Sequence, residues 1–66
     1  MTPRQLQVLD AIRWLTADRG YPPTLREVGK YLGTLPSDVH QKLARLRRDG
    51  RVEWLPRQPR TIRVVK

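Results

Sequence analysis

The sequence predicts a mainly α-helical fold closed by a small β-hairpin: three helices, then two strands. Three observations predict it. Thr2–Gln5 and Thr24–Glu27 each stand three residues apart before an apolar run, the spacing at which a helix start satisfies its own free donors. Gly20, Gly33 and Gly50 each follow a run of helical apolar periodicity, where a left-handed residue ends a helix. After Gly50 the chain changes to short runs rich in β-branched and aromatic residues.

The first helix is expected over about residues 2–19, with Thr2 as N-cap, Pro3 in the first turn and Gly20 as its stop. Val8, Leu9, Ile12 and Leu15 form its apolar stripe, with Ala11 at the edge. Leu6 and Trp14 fall off that stripe and flank Asp10, Arg13 and Ala17. Trp14 is expected to lie over a loop or the hairpin, or to be exposed, and a large exposed apolar group can mark a partner surface. Tyr21-Pro-Pro-Thr24 is a stiff connector in which Tyr21 can close one end of the core.

The second and third helices are expected over about 25–32 and 36–49. Val28 and Leu32 share one face of the second, and Gly29 leaves room where another helix must pass close. Pro36 is tolerated only in a first turn, so it bounds the third helix. Val39, Leu43 and Leu46 give that helix one buried stripe, which turns Ser37, His40, Gln41, Ala44, Arg45 and Arg48 outward. Two short helices joined by a tight turn make a helix-turn-helix.

The hairpin is expected over about 51–65, from the strands Arg51–Leu55 and Thr61–Val65, with Val52, Trp54, Ile62 and Val64 inward. Its tip, Pro56-Arg-Gln-Pro-Arg60, is stiffened by prolines and projects Arg57 and Arg60. The complete order, within a single domain over residues 1–66, is a three-helix winged helix-turn-helix.

Charge points to the partner. Fourteen Lys plus Arg oppose six Asp plus Glu in 66 residues, a net charge of +8, and eleven of the cations are arginine. Arginine is the better fork for phosphates and guanine edges, so a polyanion is the natural partner. The chain has no cysteine, which excludes disulfides and thiolate metal sites. No apolar run approaches the ~20 residues of a membrane span, and no signal-peptide pattern occurs, so a cytoplasmic location is expected. His40 has no carboxylate at catalytic spacing and no Gly-rich phosphate loop occurs, so enzymatic activity is not expected. No cofactor, small-molecule ligand or membrane partner is expected.

The sequence resembles the N-terminal DNA-binding domain of LexA repressors, regulators of the bacterial SOS response to DNA damage. The matching pieces are Thr2-Pro-Arg-Gln5 with Val8-Leu-Asp-Ala-Ile-Arg13, then Gly20-Tyr-Pro-Pro-Thr-Leu-Arg-Glu-Val28 and Leu32-Gly33, and finally Val39, His40, Leu43, Leu46, Gly50 and Arg60-Thr-Ile-Arg63. The segment Gly20–Glu27 is the most specific. The turn after Gly33 is one residue shorter than in the family, and Leu35 stands where serine is usual. The resemblance implies that the third helix reads the major groove of an operator and that the wing contacts its backbone. By position, the implied base readers are Ser37, Asp38, His40 and Gln41. The self-cleaving peptidase domain of such repressors has no room in 66 residues, so cleavage-based switching is not expected of them.

The leading expectation is sequence-specific binding of double-stranded DNA by a transcriptional regulator. Arg45, Arg48, Arg57 and Arg60 are expected on phosphates, with Thr24, Arg26, Ala44 and Arg63 beside them. About five neutralised phosphates predict a salt slope of roughly −4 to −5. Tight binding is expected from a homodimer on DNA, because site symmetry mirrors protein symmetry. Two alternatives stand beside it. One is an adaptor that docks a protein through Leu6, Trp14 and Ala17; the other is charge-driven binding of any nucleic acid.

Overall fold

The computed structural model describes residues 2–65. Helix α1 spans Pro3–Arg19, α2 Leu25–Leu32 and α3 Pro36–Arg48. Strands β1 (Val52–Glu53) and β2 (Arg63–Val64) pair antiparallel, with Val52 opposite Val64 and Glu53 opposite Arg63. This is a three-helix winged helix-turn-helix.

Local chemistry sets the first two helix starts. The Gln5 N–H donates to Thr2 Oγ1 (3.2 Å) and the Thr2 N–H to Gln5 Oε1 (3.1 Å). The same reciprocal pair opens α2, where the Glu27 N–H donates to Thr24 Oγ1 (3.2 Å) and the Thr24 N–H to Glu27 Oε1 (2.8 Å). Thr2 caps α1 as expected, so the helix proper starts at Pro3, and α3 ends at Arg48, one residue before the expected end, with Asp49 as its C-cap. Gly33, at φ 73°, ends α2: the Thr34 N–H reaches Gly29 O (2.8 Å) and the Gly33 N–H reaches Lys30 O (3.3 Å).

Helix α3 starts differently. Its N-cap is Leu35, in extended backbone, and no side chain bonds the first-turn amides. The Leu35 side chain is 70% exposed, so replacing it disturbs no core. Leu35→Ser is therefore expected to stabilise the domain by about 1 kcal/mol. In thermal unfolding by circular dichroism this is a midpoint rise of about 4–8 °C for a domain of this size. An unchanged midpoint would mean that the Thr34 hydroxyl, which donates to Asp38 Oδ2 (3.0 Å), already holds that turn.

The core lies where the three helices meet the base of the hairpin. Val8, Leu9, Ala11, Ile12, Leu15, Val28, Val39, Leu43, Leu46, Val52 and Ile62 are buried, with Leu25, Leu32, Trp54 and Val64 packed around them. Ala11 is fully inside rather than at the edge of the stripe. At Gly29 the close neighbour is the turn, not the body of a helix: a Cβ there would lie 2.8 Å from Thr34 O and 3.4 Å from Pro36 N. Any larger residue would push the turn outward and with it the start of α3.

Two expectations are corrected, and a third is resolved. The strands are two residues long rather than five, because the ladder ends where the Leu55 N–H turns to the Thr61 hydroxyl (2.9 Å) and prolines remove donors at the tip. Tyr21 does not close the core; it is exposed, with the Arg60 guanidinium 4.8 Å from its ring centre. Trp14 is exposed, one of the expected outcomes. It stacks on Tyr31 of α2, with ring centres 5.6 Å apart.

Candidate nucleic-acid interface

The buried stripe of α3 fixes its opposite face. Val39, Leu43 and Leu46 have no exposed surface, so Ser37, His40, Gln41, Ala44, Arg45 and Arg48 all stand in solvent. The face begins with short polar side chains and ends with guanidinium groups. Such an order suits base edges at the helix start and phosphates along its length.

The start of this face shares a cleft of about 600 Å³ with the start of α2 and the wing. Thr24 and Arg26 line it from α2, Pro36 and His40 from α3, and Trp54, Arg57 and Gln58 from the hairpin. His40 meets the edge of Trp54, with ring centres 6.4 Å apart. Pro56-Arg57 and Pro59-Arg60 make two successive tight bends, and Gln58 N–H closes the first onto Leu55 O (3.2 Å). Arg57 and Arg60 take positive φ, 63° and 62°, where glycine is the usual occupant of a proline-led turn.

The expected contact residues divide into two sets. Arg26, Arg45, Arg48 and Arg57 are exposed and have no carboxylate partner among the described residues. Ser37, His40, Gln41 and Ala44 are exposed on α3, whereas Thr24, Asp38, Arg60 and Arg63 are engaged within the domain. Thr24 caps α2. Asp38, expected at the bases, accepts from the Thr34 hydroxyl (3.0 Å) and from Lys42 Nζ (3.4 Å). Arg63 is bound to Glu53 across the strand pair. Arg60 does not project from the tip: its Nη1 and Nη2 reach the two oxygens of Glu27 at 2.9 and 3.2 Å.

Two participants carry no signal in the local sequence. Arg47 lies 4.5 Å from the Trp54 ring centre and braces the wing from α3. Glu27 reads locally as a helix-start residue, but Arg19 Nη1 also reaches its Oε2 at 2.6 Å. The α2 residue pairing with both α1 and the wing becomes visible only when the elements are packed.

These bonds depress the Glu27 carboxyl from its ordinary value of 4.5 to about 2, the Thr24 backbone N–H contributing most and Arg60 next. The Asp38 carboxyl is lowered as well, first by the Thr34 hydroxyl and then by Lys42. A carboxyl depressed in the folded state favours folding above its unfolded value, and that contribution is lost as pH falls through the folded value. Thermal midpoints should therefore fall between about pH 4.5 and pH 2, and Glu27→Gln should fall less steeply there. Parallel curves for the two proteins would show that Glu27 does not couple to folding.

Among the described residues no helix is long and apolar enough to cross a membrane, and no three His, Cys, Asp or Glu side chains are grouped to hold a metal ion.

A family model described as the LexA DNA binding domain matches residues 1–61. A LexA repressor of Acidothermus cellulolyticus is 42% identical over 65 residues, covering 97% of this chain and 24% of that protein. LexA repressors of Staphylococcus haemolyticus and Bacillus mycoides are each 38% identical over 66 residues, covering 98% of this chain and 32% of theirs. The chain thus spans 24–32% of the length of these relatives.

Proposed function

The chain belongs to the LexA DNA-binding domain family, and from that premise we propose that it binds double-stranded DNA sequence-specifically and regulates transcription as a repressor. One observation carries the reading. The outward face of α3 presents Ser37, His40 and Gln41 beside the wing cleft and backs them with a fully buried stripe. A helix held so firmly can place its first residues in a major groove without rearranging. Ser37, His40 and Gln41 meet base edges. Arg26, Arg45, Arg48 and Arg57 meet phosphates and set the register. Asp38 serves the fold of α3 more than the bases, since both its oxygens are occupied.

A single copy covers one half-site and binds weakly. Two copies on a two-part operator bind tightly, in the cytoplasm, without cofactor. The test is selection from a random duplex pool, read by sequencing. An enriched motif is expected, and the spacing of its halves gives the arrangement of the copies. Equal retention of scrambled DNA and RNA would replace this reading with charge-driven binding.

A second reading, docking of a protein partner, has one observation in its favour. Trp14 and Tyr31 form a stacked pair with about half of each residue exposed, beside exposed Leu6 and Ala17 on α1. Here Trp14→Ala would abolish regulation in cells while leaving duplex affinity unchanged. Loss of both together would return Trp14 to the fold.

A further inference from the structure

We propose that Glu27 and Arg60 form a latch that fixes the wing against the start of α2, so that Arg60 positions the wing rather than contacting the DNA backbone. The inference rests on the DNA-binding reading and assigns each of the two residues a role within it.

The Arg60 guanidinium is held on several sides, although its side chain stays 43% exposed. Its two terminal nitrogens bind both oxygens of Glu27, at 2.9 and 3.2 Å, and Nη1 also approaches Pro22 O at 3.4 Å. Its Cζ lies over the Tyr21 ring, 4.8 Å from the ring centre. A forked pair of this kind is directional as well as strong. Glu27 is held in turn by the Thr24 N–H at 2.8 Å and by Arg19 at 2.6 Å. One carboxylate therefore joins the end of α1, the start of α2 and the wing, although Arg60 lies 33 residues along the chain from it.

The wing needs such an anchor. Its strands are two residues each, and a short two-stranded hairpin is marginal by itself. Arg60 also holds a φ of 62°, a conformation uncommon for a residue with a side chain. Anchoring the side chain keeps the backbone there and aims Arg57, three residues earlier, across the cleft. An ordered wing loses less freedom on binding. A phosphate brought to Arg60 would, in contrast, approach the Glu27 carboxylate.

Two variants separate latch from contact. Glu27→Gln keeps the cap, since glutamine serves equally at this position of a capping box, but removes the charge. Arg60→Lys keeps the charge but removes the fork that grips both Glu27 oxygens. In the 66-residue chain both should weaken binding to the selected duplex by about three- to tenfold, the cost of ordering a freed loop. Both should leave the salt slope unchanged. By NMR, backbone order parameters at Arg57, Gln58 and Arg60 should fall below about 0.6 while those of the helices stay near 0.85.

The opposite signs overturn the latch. If Arg60 met a phosphate, Glu27→Gln would bind more tightly, Arg60→Lys would retain most affinity, and Arg60→Ala would flatten the salt slope by about 0.9. Wing order parameters unchanged in both variants would also overturn it. A wild-type chain that binds no duplex would instead sink the DNA reading, and the order parameters would still decide whether the wing is latched.

Discussion

Leu43→Ala is expected to leave most of the chain unfolded at 25 °C. Leu43 has no exposed surface and sits on α3 in the cluster that joins all three helices to the hairpin base. Truncating a buried leucine costs about 2–5 kcal/mol, because lost burial and the cavity left behind add together. A single core in a domain below 70–80 residues rarely supplies more than about 3–5 kcal/mol in total. The loss therefore consumes most of the available stability. Circular dichroism should show weak helical signal and no cooperative melt, and duplex binding should fail with it. Leu43→Met keeps the volume and should cost less than about 1.5 kcal/mol, so its melt should survive at a lower midpoint. A cooperative Leu43→Ala melt within a few degrees of wild type would mean that the core collapses around the site.

The second large effect concerns charge. Duplex affinity is expected to fall roughly a hundredfold as salt rises from about 50 to about 200 mM, a slope near −3.6 for four neutralised phosphates. The count is of Arg26, Arg45, Arg48 and Arg57, which have no carboxylate partner among the described residues. It is smaller than composition suggests, because several other cations are already paired: Arg60 and Arg19 with Glu27, Arg63 with Glu53, Lys42 with Asp38. Arg57→Ala should bring the slope to about −2.7. A slope near zero would remove the phosphate backbone from the interface. A slope steeper than about −4.5 would require a further cation, with Arg60 the first to test.

Much of the fold was legible in short-range chemistry. Thr2–Gln5 and Thr24–Glu27 close within three residues, so no tertiary contact is needed to foresee them. Gly33 and Gly50 end helices because positive φ is a property of the residue at that position. The Val39–Leu43–Leu46 stripe fixes which face of α3 is inward, and thereby the exposure of Ser37, His40 and Gln41. The strand lengths were less legible: alternation suggested five residues in each, but a threonine hydroxyl and two prolines interrupt the ladder.

The sequence by itself determined what lies within reach of one helical turn or follows from a sum over residues: helix starts and stops, the buried stripes and the strong positive charge. The tertiary structure alone decided which charges remain available and which aromatic groups meet. Arg60 and Arg57 occur in the same Pro-Arg setting, yet one is bound to Glu27 and the other is open. Trp14 finds Tyr31, and Arg47 finds Trp54, across separate elements. The physical reason is range. A cap or a periodic stripe is decided by backbone geometry over a few residues, whereas an ion pair between wing and helix exists only after the core has brought the two within 3 Å.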